Sequence, residues 1–416
     1  MDGPRFSLYT REFSADPAKS YKEMRDKHGS LAPVELAPGV PATLVLEYET
    51  ALRILHDPEH FPADPRTWQK SVAENCPVLP MMRWVPAARN NTGSAHTRYR
   101  LASKVSIEAV DLYALHSTVE QLAAPLIREF CEKGTADLVH QYAFPLVIDV
   151  LNQMIGCSPE LGQQIAIGMA ARFDAVGAGQ GVAVDPGRGM GMVTDALMQL
   201  IAHKRRVPGD DIATRLVQHS TGLDDKEACA QLTSFLAAGV EAQGNLISNT
   251  LRLMLIDDRF GGGLLGGSLS TRDALDEVLF TDPPMANFCI TYPRQPVLID
   301  GAWLPAHQPV VISLAACNND PKISGGDRTG NRSHLAWSAG AHACPARTLA
   351  YQVVEDAIDH ILDAIPEMEL AVSPTELEWR PGPFHRALVR LPVRFAPRRL
   401  PPPIPEPARV SSGAAV

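Results

Sequence analysis

The sequence has no run of about 18 uncharged apolar residues, the length that a transmembrane helix needs. It also has no long Lys/Arg run, and 38 basic against 47 acidic residues give a net charge of −9, which argues against nucleic-acid binding. The first residues lack the apolar core of a secretory signal peptide. The seven cysteines are scattered and never spaced as Cys-x-x-Cys, which argues against a disulfide framework or a zinc site. These absences favour a cytoplasmic protein with reduced thiols.

What is present is a globular composition with mostly helical periodicity. A short helix is predicted over residues 17–28, and residues 95–255 are largely helical in period. The best strand patterns are residues 43–46 and 310–313. The long apolar stretch 232–255 carries a few polar residues, which predicts a buried central helix with something polar to face. We therefore predict a mainly α fold with a minor β part, as one domain over 1–396, and a disordered Pro-rich tail over 397–416.

Cys344 lies in a context that suggests a metal ligand, although an isolated cysteine is more often a small buried hydrophobe. Pro345 suits the first position of a helix, and residues 347–362 are amphipathic. The sulfur should then precede a helix N-terminus, where unsatisfied N–H groups and the positive dipole end favour thiolate over thiol. Gly340 allows a tight loop close to a flat ligand. Such a thiolate suits the axial position of haem iron, and His342 is close enough in sequence to reach a haem propionate.

This segment resembles the cysteine-loop signature of the cytochrome P-450 superfamily, Phe-Gly-x-Gly-x-His/Arg-x-Cys-x-Gly. Gly340, His342 and Cys344 match the signature. The replaced positions are Trp337 for Phe, Ser338 for the first Gly and Ala346 for the last Gly. Residues 95–100 are similar to the family's His-x-x-x-Arg helix, 238–241 to its central Ala-Gly-x-Glu/Asp, and 379–395 to its final hairpin. The resemblance covers roughly residues 10–396 and is strongest to actinobacterial enzymes of specialised metabolism.

The resemblance implies the P-450 helical fold, with haem b between a long central helix and the cysteine loop. Cys344 would be the iron ligand, and the other cofactor-binding residues would be His96, Arg100, His342, Gly340 and Ala238. The oxygen side would be formed by Gly239, Glu241, Ala242 and Gln243. The implied substrate pocket comprises Trp84, Val85, Phe173, Phe235, Met285, Ala286, Asn287, Phe288 and Phe384. For each pocket aromatic, ordinary core packing is the alternative interpretation.

Three positions depart from the family pattern. The family's Glu-x-x-Arg becomes Glu277 to Phe280, which leaves a buried Glu277 in need of a charge from Arg328 or Arg332. Ala242 stands where a threonine hydroxyl usually steers protons, a task that Gln243, a water held by Glu241, or the substrate itself would have to take over. Thr291 stands where an arginine usually contacts a propionate, and Arg294 is the nearest replacement.

The implied activity is haem-thiolate oxidation of a small hydrophobic natural product. Hydroxylation is the default reaction, whereas the missing threonine favours radical C–C or C–N coupling of an aromatic substrate such as a cyclic dipeptide. Electrons would come from a ferredoxin and its reductase, since the chain has no convincing flavin or nicotinamide motif. A local basic face suits docking of an acidic ferredoxin, with ordinary solvated surface charge as the alternative interpretation; it is formed by His96, Arg98, Arg100, Lys104 and Arg347. Two alternatives stay open: a haem-free helper subunit of a glycosyltransferase, and a haem enzyme driven by peroxide.

Overall fold

The structure is a computed structural model that describes residues 4–177, 186–260, 269–325 and 330–399. Arg328, residues 261–267 and most of the Pro-rich tail lie outside these ranges, as does the side chain of Phe173. The helices are α1 Arg11–Ala15, α2 Pro17–His28, α3 Tyr48–Leu55, α4 Leu79–Met82, α5 Gly93–Glu108, α6 Leu112–Cys131, α7 Phe144–Met154, α8 Pro159–Gly177, α9 Pro186–Arg206, α10 Ile212–Gln218, α11 Asp225–Ile256, α12 Thr271–Thr281, α13 Leu314–Asn318 and α14 Arg347–Ala364. The strands are β1 Phe6–Ser7, β2 Leu31–Ala37, β3 Val40–Val45, β4 Thr135–Asp137, β5 Asn287–Thr291, β6 Val297–Ile299, β7 Ala302–Leu304, β8 Val310–Ser313, β9 Glu369–Leu370 and β10 Pro392–Arg394. The prediction of a mainly α fold with a minor β part is confirmed.

Helix α11 is the long central helix that the sequence predicts. It begins with a capping box, in which the Asp224 side chain accepts from the Glu227 N–H at 2.8 Å and Glu227 accepts from the Asp224 N–H at 3.0 Å. Arg98 of α5 donates to the same Glu227 at 2.6 Å, which ties the start of α11 to α5. Helices α7, α9, α12 and α14 pack against α11, and residues 243–251 of α11 are buried without interruption.

The main sheet has five strands in the order β1-β2-β3-β8-β5. The two strands predicted most clearly from the sequence, β3 and β8, are parallel neighbours, with Thr43 opposite Val310. Strand β5 runs antiparallel to β8, and its register shifts between Phe288 and Thr291. Two small β units complete the fold, the sheet β4-β10-β9 and the hairpin β6-β7.

Helix α14 brings the cysteine loop to the centre of the molecule. Its apolar face is buried against α6, α11 and α12 through residues such as Leu349, Val353 and Ile361. This face matches the amphipathic pattern over 347–362. The loop that carries Cys344 therefore begins from a rigid, buried helix. Among the described residues, the helices are all too short or too polar to cross a membrane.

Candidate functional site

The loop around Cys344 is a hydrogen-bonded turn that leads directly into α14. The Cys344 N–H donates to the Trp337 carbonyl at 2.8 Å, and the Ala343 N–H donates to the Gly340 carbonyl at 3.2 Å. Since α14 begins at Arg347, the sulfur lies just before a helix N-terminus, as predicted.

Gly340 is required in this loop for a different reason from the one the sequence suggested. Its φ is +67°, in the left-handed region that favours glycine. A Cβ at this position would overlap the Leu55 carbonyl oxygen at the end of α3. The glycine therefore allows the back of the loop to approach α3, which corrects the expectation that it makes room for a flat ligand.

Burial raises the pKa of the Cys344 thiol, although the Ala346 N–H, Arg100 and Arg347 act in the opposite direction. The Ala346 N–H acts in the direction expected of a helix N-terminus, but burial has the larger effect on the thiol. Loss of hydration outweighs the stabilisation that these three groups give to the anion. A metal ion bound to the sulfur is what would keep it deprotonated.

Three basic side chains converge beside the loop. Arg100 donates to the Ala343 carbonyl, and the rings of His96 and His342 lie 4.5 Å apart between centroids. Burial and Arg100 lower the pKa of His96, while burial, His96 and Arg100 lower the pKa of His342 to about 4. His96 Nε2 is buried without a hydrogen-bond partner. Within the described ranges, none of the three forms an ion pair with a carboxylate.

A cluster of this kind fits an anionic group. Crowded, desolvated bases with an unused buried donor are stabilised by an incoming negative charge. The two propionates of a haem would supply that charge next to the sulfur that binds the iron. His96, Arg100, His342 and Cys344 thus come together as the sequence predicts, and the residues present fit the cofactor.

The middle of α11 has one face that opens onto unfilled space. Ala238 is exposed although the helix is central, and Phe235 and Ala242, on adjoining turns, are half-buried. A Cβ on Gly239 would instead lie 2.7 Å from Leu151 of α7, so this glycine allows close helix packing. Ala238 and Ala242 face the space, whereas Gly239 does not.

Glu241 lies in the protein interior and is fully engaged there. It forms an ion pair with Arg380, accepts from Asn245 Nδ2 at 3.0 Å, and lies 4.0 Å from His385 Nδ1. Gln243 is also buried, with its amide nitrogen near Gly239 and its Oε1 without a partner. The side chains of Glu241 and Gln243 are thus packed inside the protein, and their place on the oxygen side stays a prediction.

Comparison with known proteins assigns this architecture. The chain is 28% identical over 405 residues to the cytochrome P-450 monooxygenase PikC of Streptomyces venezuelae, covering 92% of each chain. It is 26% identical over 412 residues to the 6-deoxyerythronolide B hydroxylase of Saccharopolyspora erythraea, covering 93% of this chain and 98% of that one. The solved structure of CYP154C4 from a Streptomyces species superposes with a TM-score of 0.83 at 23% identity, covering 95% of this chain and 99% of that chain.

The chain belongs to the cytochrome P-450 superfamily. No protein-family model matches it. As a P-450 it is a monooxygenase with haem b held by a cysteine thiolate, acting on a small molecule with electrons from a redox partner. These similarities do not favour the helper-subunit or the peroxide-driven alternative.

The structure divides the predicted pocket residues of this P-450 into two groups. Trp84, Val85, Phe235, Met285 and Phe288 are half-buried, as the wall of an open pocket would be. Three others are buried in the protein interior and are not wall residues, which corrects their assignment: Ala286, Asn287 and Phe384.

Asn287 shows the reason for this correction. It accepts from the Tyr21 hydroxyl at 2.9 Å and donates to the Pro383 carbonyl at 2.9 Å. Its amide therefore joins β5 to the final hairpin.

The carboxylate of α12 that faces the protein interior is Asp276, not Glu277. Asp276 is 5% exposed and accepts from Arg332 Nε at 2.8 Å. Glu277 is about one quarter exposed and lies 3.9 Å from Arg259. Phe280 packs edge-on against the His334 ring, with centroids 5.8 Å apart. The sequence missed Asp276 because two adjacent carboxylates fit the motif equally well without its arginine.

The third departure concerns Thr291 and Arg294. Thr291 is buried, with its hydroxyl lacking a hydrogen-bond partner. Arg294 is exposed, and its charge, with that of Arg66, lowers the pKa of Asp64. That Arg294 replaces the missing propionate contact stays a prediction.

Proposed function

We propose that Cys344 is the iron ligand of this monooxygenase, that His96, Arg100 and His342 hold the haem propionates, and that the enzyme hydroxylates a small hydrophobic natural product. The observation that carries the assignment is the convergence on one cysteine loop of three basic side chains that have no carboxylate partner among the described residues. The bound haem supplies the oxygen-activating chemistry. The protein positions the cofactor, excludes water and orients the substrate.

We infer the substrate class from the residues that line the open pocket and from the proteins to which the chain is similar. Val85, Phe235, Met285 and Phe288 offer apolar and aromatic surface, which suits a hydrophobic molecule. One relative is named a hydroxylase of 6-deoxyerythronolide B. A natural product with a large apolar skeleton is the candidate that agrees with both.

One observation favours a second reaction, oxidative coupling. The α11 face that borders the open space is lined by Ala238 and Ala242, and the polar groups of Glu241 and Gln243 are packed elsewhere. Proton donation there falls to water or to a substrate N–H or O–H, as in an aromatic cyclic dipeptide. Turnover under labelled dioxygen separates the two reactions, because label enters a hydroxylated product and is absent from a coupled one.

The cysteine assignment is tested with Cys344→Ser. We expect the ferrous carbon monoxide complex of the purified variant to lose its thiolate-type absorbance, because serine oxygen is a poor substitute for the sulfur. Cys289→Ser is the matched control, since Cys289 is half-buried and its thiol is hydrogen-bonded to Ser338 in the same loop region. An unchanged Cys344→Ser spectrum, or loss of the signal in the Cys289 variant alone, would refute the assignment.

We further propose a ferredoxin as electron donor, docking beside α5. Arg98 is already paired with Glu227, and Arg100 points to the loop. The predicted basic face therefore reduces to Lys104, which lies 3.6 Å from Glu108 on its own helix, and Arg347. Leu101 and Val105 form an apolar centre beside Lys104 on α5, since they are 47% and 44% exposed and one helical turn apart. An apolar centre with a cationic rim fits a small acidic protein.

Charge placed in that centre should block docking. Leu101→Asp should slow reduction by ferredoxin by about tenfold or more, while chemical reduction by dithionite stays unchanged. Tyr113→Asp, at a residue that is 91% exposed on the following helix, is the control. Equal effects of both variants would exclude this docking surface.

We also place the enzyme in the cytoplasm, where its seven free cysteines stay reduced.

A further inference from the structure

We propose that Asp276, Arg332 and Tyr351 together hold the Cys344 loop from behind, in place of the Glu-x-x-Arg ion pair that this chain lacks. The proposal rests on Cys344 as the iron ligand. It assigns the three residues as positioning residues, because none of them borders the sulfur itself.

The first support is a continuous chain of contacts from α12 to the cysteine. Asp276 accepts from Arg332 Nε at 2.8 Å with one oxygen and from the Tyr351 hydroxyl at 2.5 Å with the other. The Tyr351 ring packs on Trp337, with centroids 5.3 Å apart and planes at 41°. The Trp337 carbonyl in turn accepts from the Cys344 N–H at 2.8 Å.

The second support is that the carboxylate would be costly without these partners. Asp276 is 5% exposed on α12, and both of its oxygens are occupied by the two donors. Burial and the contact with Asp276 raise the pKa of Tyr351 to about 12, so its hydroxyl keeps the proton that it donates. Removing either donor leaves a buried anion partly unsatisfied.

The third support is a parallel connection through α13. Asn318 donates to the Leu279 carbonyl of α12 at 3.0 Å and accepts from the Leu335 N–H at 2.7 Å. The Leu335 carbonyl then accepts from the Ser338 N–H at 2.7 Å. Two routes thus connect α12 to the same short loop, one charged and one made of neutral hydrogen bonds.

The missing arginine is explained by the same arrangement. Phe280 fills its position on α12 and packs against the ring of His334, whose pKa is lowered to about 4 mainly by burial. A neutral histidine against a phenylalanine needs no counter-ion. The inward carboxylate is Asp276, one residue before Glu277, and the cation is supplied by Arg332 in the loop before Cys344.

The test compares the variants Tyr351→Phe and Arg332→Gln with the control variant Tyr142→Phe. Tyr142 is the control, because its buried hydroxyl donates to the Ala357 carbonyl at 2.5 Å and so also contacts α14, but ten residues beyond Arg347. The readouts are the proportion of ferrous carbon monoxide complex that keeps the thiolate-type absorbance, the rate of haem loss to a scavenger protein, and the reduction potential of the iron.

We expect each of the two variants to raise the proportion of non-thiolate complex by about tenfold relative to the parent protein, and haem loss to accelerate. Arg332→Lys should restore most of the parent behaviour. Tyr142→Phe should lower the resistance to urea without changing the spectrum or the potential.

Failure of this proposal is distinguishable from failure of the proposed function. A parent protein that shows no thiolate-type absorbance would overturn the Cys344 assignment and, with it, the positioning role of Asp276, Arg332 and Tyr351. A normal parent, together with Tyr351→Phe and Arg332→Gln variants whose spectra match that of Tyr142→Phe, would overturn the positioning role alone.

Discussion

At the scale of single residues, Ser338 occupies a backbone conformation that suits glycine. Its φ is +59°, and it stands at the position where the family signature has its first glycine. A side chain in this region costs roughly 1–2 kcal/mol. The left-handed turn has therefore been kept while the residue that adopts it most easily has been lost.

We predict that Ser338→Gly stabilises the protein by about 1 kcal/mol, because it relieves the strain while the unfolded chain gains some freedom. Urea unfolding followed by circular dichroism measures the change. Ser220→Gly, at an exposed position without a left-handed φ, is the control and should leave stability unchanged or lower it. A Ser338→Gly protein that unfolds at lower urea would contradict the strain argument.

The cysteine loop and its neighbours show what the sequence could predict at the scale of single residues. The loop, its cysteine and the two histidines follow from local spacing, which a sequence displays directly. The net direction of the Cys344 pKa does not, because it depends on how much of the sulfur other elements cover. The contact of Gly340 with Leu55 was hidden for a similar reason, since it joins positions 285 residues apart.

At the scale of elements, helix phase decides which carboxylate of α12 faces inward. Asp276 and Phe280 are four residues apart and share the buried face, whereas Glu277 is rotated by about 100° from Asp276. The motif alone suggested Glu277, since motif registers count residues and do not report faces. The sequence left Arg328 and Arg332 open as the cation for Glu277. Arg332 pairs with the neighbouring Asp276 instead, and Arg328 lies outside the described residues.

The contact between α12 and the loop should make stability depend on pH through His334. Burial, with smaller contributions from Arg347 and Arg332, lowers the pKa of this ring to about 4, although Asp276 opposes the shift. The folded state therefore prefers the neutral ring, and its contribution is complete above the unfolded value of about 6.5. As pH falls from about 6.5 towards 4, His334 becomes protonated in the unfolded chain but stays neutral in the folded protein. The free energy of unfolding therefore falls by up to about 3 kcal/mol.

We predict that His334→Phe removes this part of the pH dependence, because phenylalanine keeps the ring contact with Phe280 and cannot be protonated. Urea unfolding of the haem-free protein at several pH values between 4 and 7 measures the slope. His116→Asn should change the slope in the opposite sense, since Asp356 raises the pKa of His116. A His334→Phe protein with the parent's slope would show that other groups cause the acid sensitivity.

At the scale of the whole molecule, the ion pair between Glu241 and Arg380 ties the middle of α11 to the final hairpin. Both side chains are buried, at 4% and 11% exposure, and 139 residues separate them. The sequence predicted the helix and the hairpin separately from periodicity and resemblance. Their connection could not be predicted, because nothing local marks Arg380 as the partner of a carboxylate on another element.

We predict that Arg380→Met destabilises the protein by about 3–5 kcal/mol, since it leaves Glu241 buried with only Asn245 and the more distant His385 nearby. The double variant Glu241→Gln/Arg380→Met should lose much less than the sum of the two single variants, because it removes the uncompensated charge. Urea unfolding of the four proteins gives the coupling energy.

The exposed pair of Arg394 and Glu369 provides the comparison, because it also involves the C-terminal region but is 62% and 69% exposed. Arg394→Met should cost less than about 1 kcal/mol, since water screens such pairs. Additive losses at Glu241 and Arg380 would mean that the two charges act independently and that the hairpin is held by its apolar contacts. A large coupling would instead show that the acid of the central helix serves to hold the C-terminal hairpin against α11.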